Sequence, residues 1–257
     1  MKKEFNFFSN EFLKLHLKKN SAIQAGMLEI LFIRHGETDW NKNRRIMGHR
    51  PVPLNREGIR QVEETANSLD SIDIKAVYTS PLKRTVQTSR ILARGRSVRL
   101  VEAPELTEID YGDWVGKTFD EVGRYPAFRL YHTDPAKAQA PSGEKMKDVY
   151  RRGISWVEKI RKEHKKGRII AVSHADVIKA ILCHYLDLDL NNMLKIRIDN
   201  GSVSILWINE KGSGVFGINC HTSLEKVFSR SDVTIGSTFN SINLRSRTMN
   251  LINLFPV

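Results

Sequence analysis

The chain reads as an α/β protein, a three-layer α/β/α sandwich built on a mainly parallel sheet, and three observations predict this. Runs such as LEILFI and GRIIAV are short and largely apolar, as expected of strands covered on both faces. Segments of helical periodicity lie between such runs, and the two kinds alternate along the chain. With 257 residues, 40% hydrophobic and 27% charged, the chain can bury a large core.

Taken in order, LEILFI (28–33) is a buried strand, and REGIRQVEETANSLD places Ile59, Val62, Ala66 and Leu69 on one helical face. IKAVYTS is a strand, and PLKRTVQTSRILA is a helix with Pro81 suited to its first turn. SVRLVEA is a short strand; GEKMKDVYRRGISWVEKIRKEH is a long amphipathic helix; GRIIAVS is another buried strand. HADVIKAILCHYLD is the helix after it, and GSVSILWIN is the last strand, before EKGSG breaks the pattern. The domain therefore spans 27–210.

The two ends read differently. Met27 lies one residue before the first strand, so residues 1–26 are either an extension or the product of an upstream start, with the second favoured. If real, the extension's Phe5, Phe8, Phe12 and Leu15 with basic partners could form an amphipathic helix. Residues 211–257 are rich in Ser, Asn and Thr, lack periodicity, and read as a loosely ordered tail. Residues 1–26 and 211–257 each carry five basic and two acidic side chains, a share of the net charge of +12. The remaining excess is spread through amphipathic segments, with no basic run interleaved with aromatics, so a nucleic-acid partner is not expected.

No apolar run reaches the roughly 20 residues that cross a bilayer, so stable membrane insertion is not expected. The first residues lack both a continuous apolar stretch and a small-residue cleavage site, and read poorly as a signal peptide. Cys183 and Cys220 stand far apart with no thiol or histidine pair at metal-ligand spacing, so no disulfide framework or metal site is expected. A cytoplasmic location fits best.

Three strand ends carry polar residues that a fold alone does not require: Arg34-His35 after the first, TSPLKR with Arg84 after the second, and Ser173-His174 after GRIIAV. In parallel α/β sheets ligands bind at the carboxyl ends of the strands. Two histidines and two arginines there form a small cationic pocket suited to phosphate, and Gly36 lets backbone approach a bound anion. ELTEIDYGDW supplies Glu108, Asp110 and Asp113 in a loop with Tyr111 and Trp114, and one of these carboxylates can serve as an acid. Turn roles are favoured for Asp110 and Asp113, and core packing for Cys183. His16, His49, His132, His164 and His221 have no motif around them and read as surface or loop residues. The aromatics of FDEVGRYPAFRLYH either line the pocket mouth or pack an insert.

RHGETDWN, SPLKRTVQT, LTEIDYGDWVG and SHADVIK, in this order over roughly 27–210, resemble the histidine phosphatase superfamily, also called the phosphoglycerate mutase-like family. The resemblance implies that His35 attacks phosphorus to give a phosphohistidine, and that Arg34, Arg84 and His174 hold the phosphoryl oxygens. It makes Glu108 first the acid for the leaving oxygen and then the base for water. Thr38, Asn41 and Gly48 fall at substrate-contacting positions, although Thr38 reads equally as a cap. No metal and no cofactor are implied; the partner is a small phosphorylated metabolite, and a homodimer is compatible.

After the second histidine many members have glycine, where this chain has Ala175 and Asp176. Arg124, Arg129 and Lys137 do not match the basic insert with which cofactor-dependent mutases grip a second phosphate. The expected function is therefore a metal-independent phosphomonoesterase, with a phosphoglycerate mutase and a non-catalytic phosphate-binding module as the alternatives.

Overall fold

The computed structural model describes residues 26–221 of the chain. The expectations for the N-terminal extension, up to residue 25, and for the tail beyond 221 lie outside the described residues. Six strands form one sheet in the order β3-β2-β4-β1-β5-β6. These are β1 Leu28–Arg34, β2 Ala76–Thr79, β3 Arg99–Glu102, β4 Gly167–Ser173, β5 Val203–Asn209 and β6 Gly212–Cys220. β1, β2, β3 and β4 run parallel, whereas β5 pairs antiparallel with β1 and with β6. The mainly parallel α/β sandwich is thus as expected from the sequence.

The inner strands β1, β2, β4 and β5 are largely apolar because both faces are covered, Glu29 and Arg168 forming a buried ion pair between β1 and β4, whereas the edge strands β3 and β6 are largely open. Leu28, Ile30 and Phe32 of β1 belong to one core cluster, while Leu31 and Ile33 belong to another, as the alternation of a strand requires. The first cluster lies under α6 (Met146–Glu163) and α7 (Ala175–Tyr185), which contribute Val149, Trp156, Val157, Ile160, Val177, Ile178 and Ile181. The second lies under α2 (Arg56–Ser68) and α3 (Lys83–Ala93), through Val62 and Leu92.

Trp156 is fully buried and meets Phe32 and Tyr78 edge-on, with ring centroids 6.1 and 5.6 Å away. Trp156→Ala is expected to lower stability by about 3–5 kcal/mol through lost burial and the cavity left behind. Denaturant unfolding, read as a shift in midpoint at unchanged slope, checks this.

Two details differ from the sequence reading. The α3 helix begins at Lys83 with Leu82 as its N-cap, so Pro81 precedes the cap and is not in the first turn. The sheet also continues past the expected boundary at 210. EKG is a hairpin turn, in which Asn209 Oδ1 accepts from the Lys211 and Gly212 amides at 2.8 and 3.0 Å, and β6 follows. The strand escaped notice because GSGVFGINC has three glycines, and as an edge strand it alternates only weakly between covered and open positions.

Three short helices were not expected: α1 (Asp39–Lys42), α4 (Phe119–Val122) and α5 (Pro126–Thr133). The last two form an insert between Glu108 and α6. Phe128 of α5 packs edge-on against Trp114 at 5.5 Å and stacks on Tyr131, beside Ile46, Val122 and Ala140. Of the insert's aromatics, Phe128 therefore packs its small core, Tyr131 joins the main core, and Phe119 and Tyr125 are exposed. No helix among the described residues is long and apolar enough to cross a membrane.

Candidate active site

The strand register brings the expected residues to one place. Arg34 lies opposite Ser173, and Thr79 lies opposite Val172, so β1, β2 and β4 end flush. The His35 amide donates to Ser173 O at 3.1 Å and the Ser80 amide to Val172 O at 3.0 Å, which carries the alignment one residue past the strands. His35, Ser80 and His174 therefore leave the same edge of the sheet.

His35 is 1% exposed. Its Nδ1 lies 2.7 Å from Gly36 O, and because a carbonyl can only accept, Nδ1 carries the proton and Nε2 presents a lone pair. Burial, and then Arg84 and Arg34, hold the imidazole well below its usual pKa, so it is neutral at pH 7. The ring of His174 is 5.2 Å away, centroid to centroid. Its Nε2 pairs with Ser80 Oγ at 2.9 Å, and burial with the adjoining arginines also keeps it neutral.

The arginines are fixed by backbone carbonyls. Arg34 donates from Nη1 to Ile198 O at 2.8 Å; Arg84, fully buried, donates to Gly48 O at 2.9 Å and Arg50 O at 3.2 Å. Burial lowers the pKa of both, that of Arg84 to about 10, which still leaves them cationic at neutral pH. Among the described residues, Arg34 Nε, Arg84 Nε and His174 Nδ1 are buried with no hydrogen-bond partner. Three unpartnered nitrogens in one cationic pocket suit a tetrahedral anion.

Glu108 closes the pocket, its Oε2 3.9 Å from His174 Nδ1. Burial, and next the nearby charge of Asp176, push its carboxyl up to about 7, against the opposing pull of Arg84, the Ile109 amide and Arg34. The Ile109 amide donates to Oε1 at 3.0 Å. The site thus holds a neutral imidazole with Nε2 unprotonated, two fixed cations and a carboxyl pushed up to about 7.

Thr38 and Asn41 bond chiefly to each other. They form a capping box on α1, in which Thr38 Oγ1 accepts from the Asn41 amide at 3.2 Å and Asn41 Oδ1 from the Thr38 amide at 3.1 Å. The cap reading of Thr38 is therefore realised in the fold. Gly48, at φ +48°, turns its carbonyl to Arg84, and a Cβ there would meet Val115 at 2.8 Å. Asp110 takes the expected turn role, its Oδ1 accepting from the Gly112 amide at 2.9 Å.

The need for Gly36 has a more local cause than an anion. A Cβ would lie 2.4 Å from Gly58 O, so the N-terminus of α2 packs directly on this loop.

Four supporting residues were not picked out from the sequence. Ser80 pairs with His174; Thr88, one helical turn after Arg84, accepts from the Gly36 amide at 3.2 Å; Asn200 Nδ2 donates to His35 O at 2.9 Å. His49, read as a surface residue, is exposed but donates from Nε2 to Glu108 O at 2.8 Å. The spacing of Arg84 and Thr88 was the one available signal, since both fall on the face of a helix that starts at a strand end.

Comparison with known proteins assigns the chain to a family. The family model described as histidine phosphatase superfamily (branch 1) matches residues 30–221. The chain is 31% identical over 199 residues to phosphoserine phosphatase 1 of Hydrogenobacter thermophilus, covering 76% of this chain and 94% of that one. It is 26% identical over 186 residues to the adenosylcobalamin/alpha-ribazole phosphatase of Escherichia coli, covering 72% and 92%. The solved structure of Bacillus stearothermophilus YhfR superposes with a TM-score of 0.70 at 29% identity, over 74% of this chain and 95% of that one. With a family model spanning the sheet and every strand end that builds the pocket, the chain belongs to the histidine phosphatase superfamily, branch 1.

Proposed function

We propose that this histidine phosphatase hydrolyses a small phosphorylated metabolite, without a metal, through a phosphohistidine at His35. The observation that carries the reading is the pairing of His35 Nδ1 with Gly36 O, which leaves Nε2 bare among the unpartnered nitrogens of Arg34, Arg84 and His174. Nε2 attacks phosphorus and the bond to the leaving oxygen breaks, while the Glu108 carboxyl passes its proton to that oxygen. The Glu108 carboxylate then takes a proton from water, the water oxygen attacks phosphorus, the P–N bond breaks, and inorganic phosphate leaves.

Arg34, Arg84 and His174 stabilise the equatorial oxygens throughout. With the Ser80 hydroxyl donating to Nε2, His174 keeps its proton on Nδ1, the nitrogen that faces Glu108. Asn41 Nδ2, half-buried and without a partner among the described residues, is available to the leaving group, and Thr38 orients it. What favours hydrolysis over mutase transfer is the insert. Arg124 donates to Glu121 O, Lys137 pairs with Asp134 at 2.8 Å, and Arg129 is exposed, so its cations are not gathered for a second phosphate. An intact acid and nucleophile likewise weigh against a binding-only module.

The name of one relative puts phosphoserine first among substrates to assay, followed by phosphoglycerates, sugar phosphates and alpha-ribazole phosphate. Phosphate release in the presence of a chelator, with alkaline-quenched phosphopeptide mapping to His35, tests the reading. Failure of all these phosphomonoesters, or a phosphoryl group mapping elsewhere, would overturn it.

A pH profile follows from the same groups. His35 is neutral at and below pH 7, down to its lowered pKa, whereas Glu108 loses the proton it must deliver as pH rises through about 7. We expect kcat/KM to fall tenfold per pH unit on the alkaline side of about 7. A plateau extending to pH 9 would show that Glu108 is not the acid.

A further inference from the structure

Asp176 stands where many relatives were expected to have glycine, and the fold encloses it. Its residual exposure is 8%, yet it is charged. One oxygen, Oδ2, accepts from both Tyr111 and Tyr131 hydroxyls at 2.5 Å, and Lys179 lies 3.5 Å from the other oxygen. The two phenols also meet each other at 3.0 Å. Three elements converge on this carboxylate. Tyr111 lies three residues beyond Glu108 in the acid's own loop, Tyr131 is on α5 of the insert, and Asp176 is two residues beyond His174 on α7.

We propose that Asp176 is a positioning residue for the acid step, a fixed anion held by Tyr131 of the insert and by Tyr111 of the loop that carries Glu108, which couples the seat of the insert helix to proton delivery at the leaving oxygen. This rests on the reading of Glu108 as the acid.

The chemistry supports a division of labour between the two carboxyls. Both phenols have pKa values well above the usual 10, so each remains a donor; against burial, which acts the other way, Lys179, the two phenols and Arg34 hold the Asp176 carboxyl below its usual range. Asp176 in turn is the largest charge acting to keep the proton on Glu108. The other groups facing Glu108 act in known directions: Arg84 and Arg34 favour its anion, Tyr111 is neutral, and His35 and His174 are neutral by burial. Two carboxyls whose surroundings drive their affinities for protons apart are the arrangement expected of an acid site.

The full-length enzyme provides the test, with kcat/KM measured from pH 5 to 9 on whichever phosphomonoester the wild type hydrolyses. Asp176→Asn keeps size and removes charge, so the alkaline limb should move down by about one pH unit. Activity would then be nearly unchanged at pH 5.5 and about tenfold lower at pH 8. Tyr131→Phe removes one donor and keeps the anion, so its limb should stay in place or move up. A cluster that merely held the loop together would lower activity evenly across pH in both variants, and that result would overturn the proposal.

Carbon-13 NMR of the Glu108 side-chain carboxyl gives a readout independent of turnover. Its titration midpoint should fall in Asp176→Asn, and an unmoved midpoint would overturn the proposal. If Asp176→Asn does not fold, Tyr111→Phe and Tyr131→Phe carry the test, and a limb that moves down in either one overturns it. Glu108→Gln separates the two levels of the argument. Loss of the alkaline limb in that variant, with the limb unmoved in Asp176→Asn, refutes the role of Asp176 alone, whereas a limb surviving in Glu108→Gln refutes the acid assignment itself.

Discussion

His35→Ala is expected, on the proposed mechanism, to lower kcat by about 10⁴-fold or more, because no other group in the pocket can replace the imidazole nitrogen as nucleophile. His174 is the nearest candidate, but its Nε2 is paired with Ser80 and its Nδ1 faces Glu108. The substitution also empties a buried site, so the fold should be checked by circular dichroism. Asn200 donates to the His35 carbonyl and the His35 amide to Ser173 O, and these backbone bonds survive the change. Steady-state phosphate release and the alkaline-quench assay are the measurements. A variant retaining more than about one hundredth of wild-type kcat would dismiss covalent catalysis at this residue.

The second large effect is expected at Arg84, whose side chain does two jobs. Arg84→Ala removes a cation from the proposed phosphoryl site and should lower kcat/KM by about 10³-fold, the scale of losing a preorganised donor to developing charge. It also leaves Gly48 O and Arg50 O without their donor and creates a cavity, at a cost of about 2–4 kcal/mol. Arg84→Lys separates the two. A lysine keeps the charge but not the planar fork, so stability should partly return while rate stays low. Kinetics together with denaturant unfolding check this, and a lysine variant with near wild-type kcat/KM would show that charge alone suffices.

Much of this was visible in the chain itself. The apolar runs marked the strands because β1 and β4 are covered on both faces, and such strands carry few polar positions, here Glu29 and Arg168, which pair with each other. For the same reason β6 was missed: an edge strand with three glycines has neither a continuous apolar run nor clean alternation. Arg34, His35, Arg84 and His174 stood out as polar residues at the ends of buried strands, where burial alone would favour apolar ones. Gly36 stood out as well, but for a reason that only packing shows, the close approach of Gly58. Thr38 was readable as a cap because capping is a short-range bond between residues three apart.

By itself, then, the amino-acid sequence determined the layered architecture, the sheet edge where chemistry gathers, and the residues that build the pocket. Each of these is written in local periodicity or in the placement of a charge beside an apolar run. Only the tertiary structure decided how those residues are held and tuned. His174 meets Ser80 across 94 positions, Asp176 meets Tyr131 across 45, and Asn200 meets His35 across 165. Such pairs depend on strand register and on the seating of the insert. The proton affinity of Glu108 depends on burial and on a carboxylate far away in sequence, so no local pattern carries it.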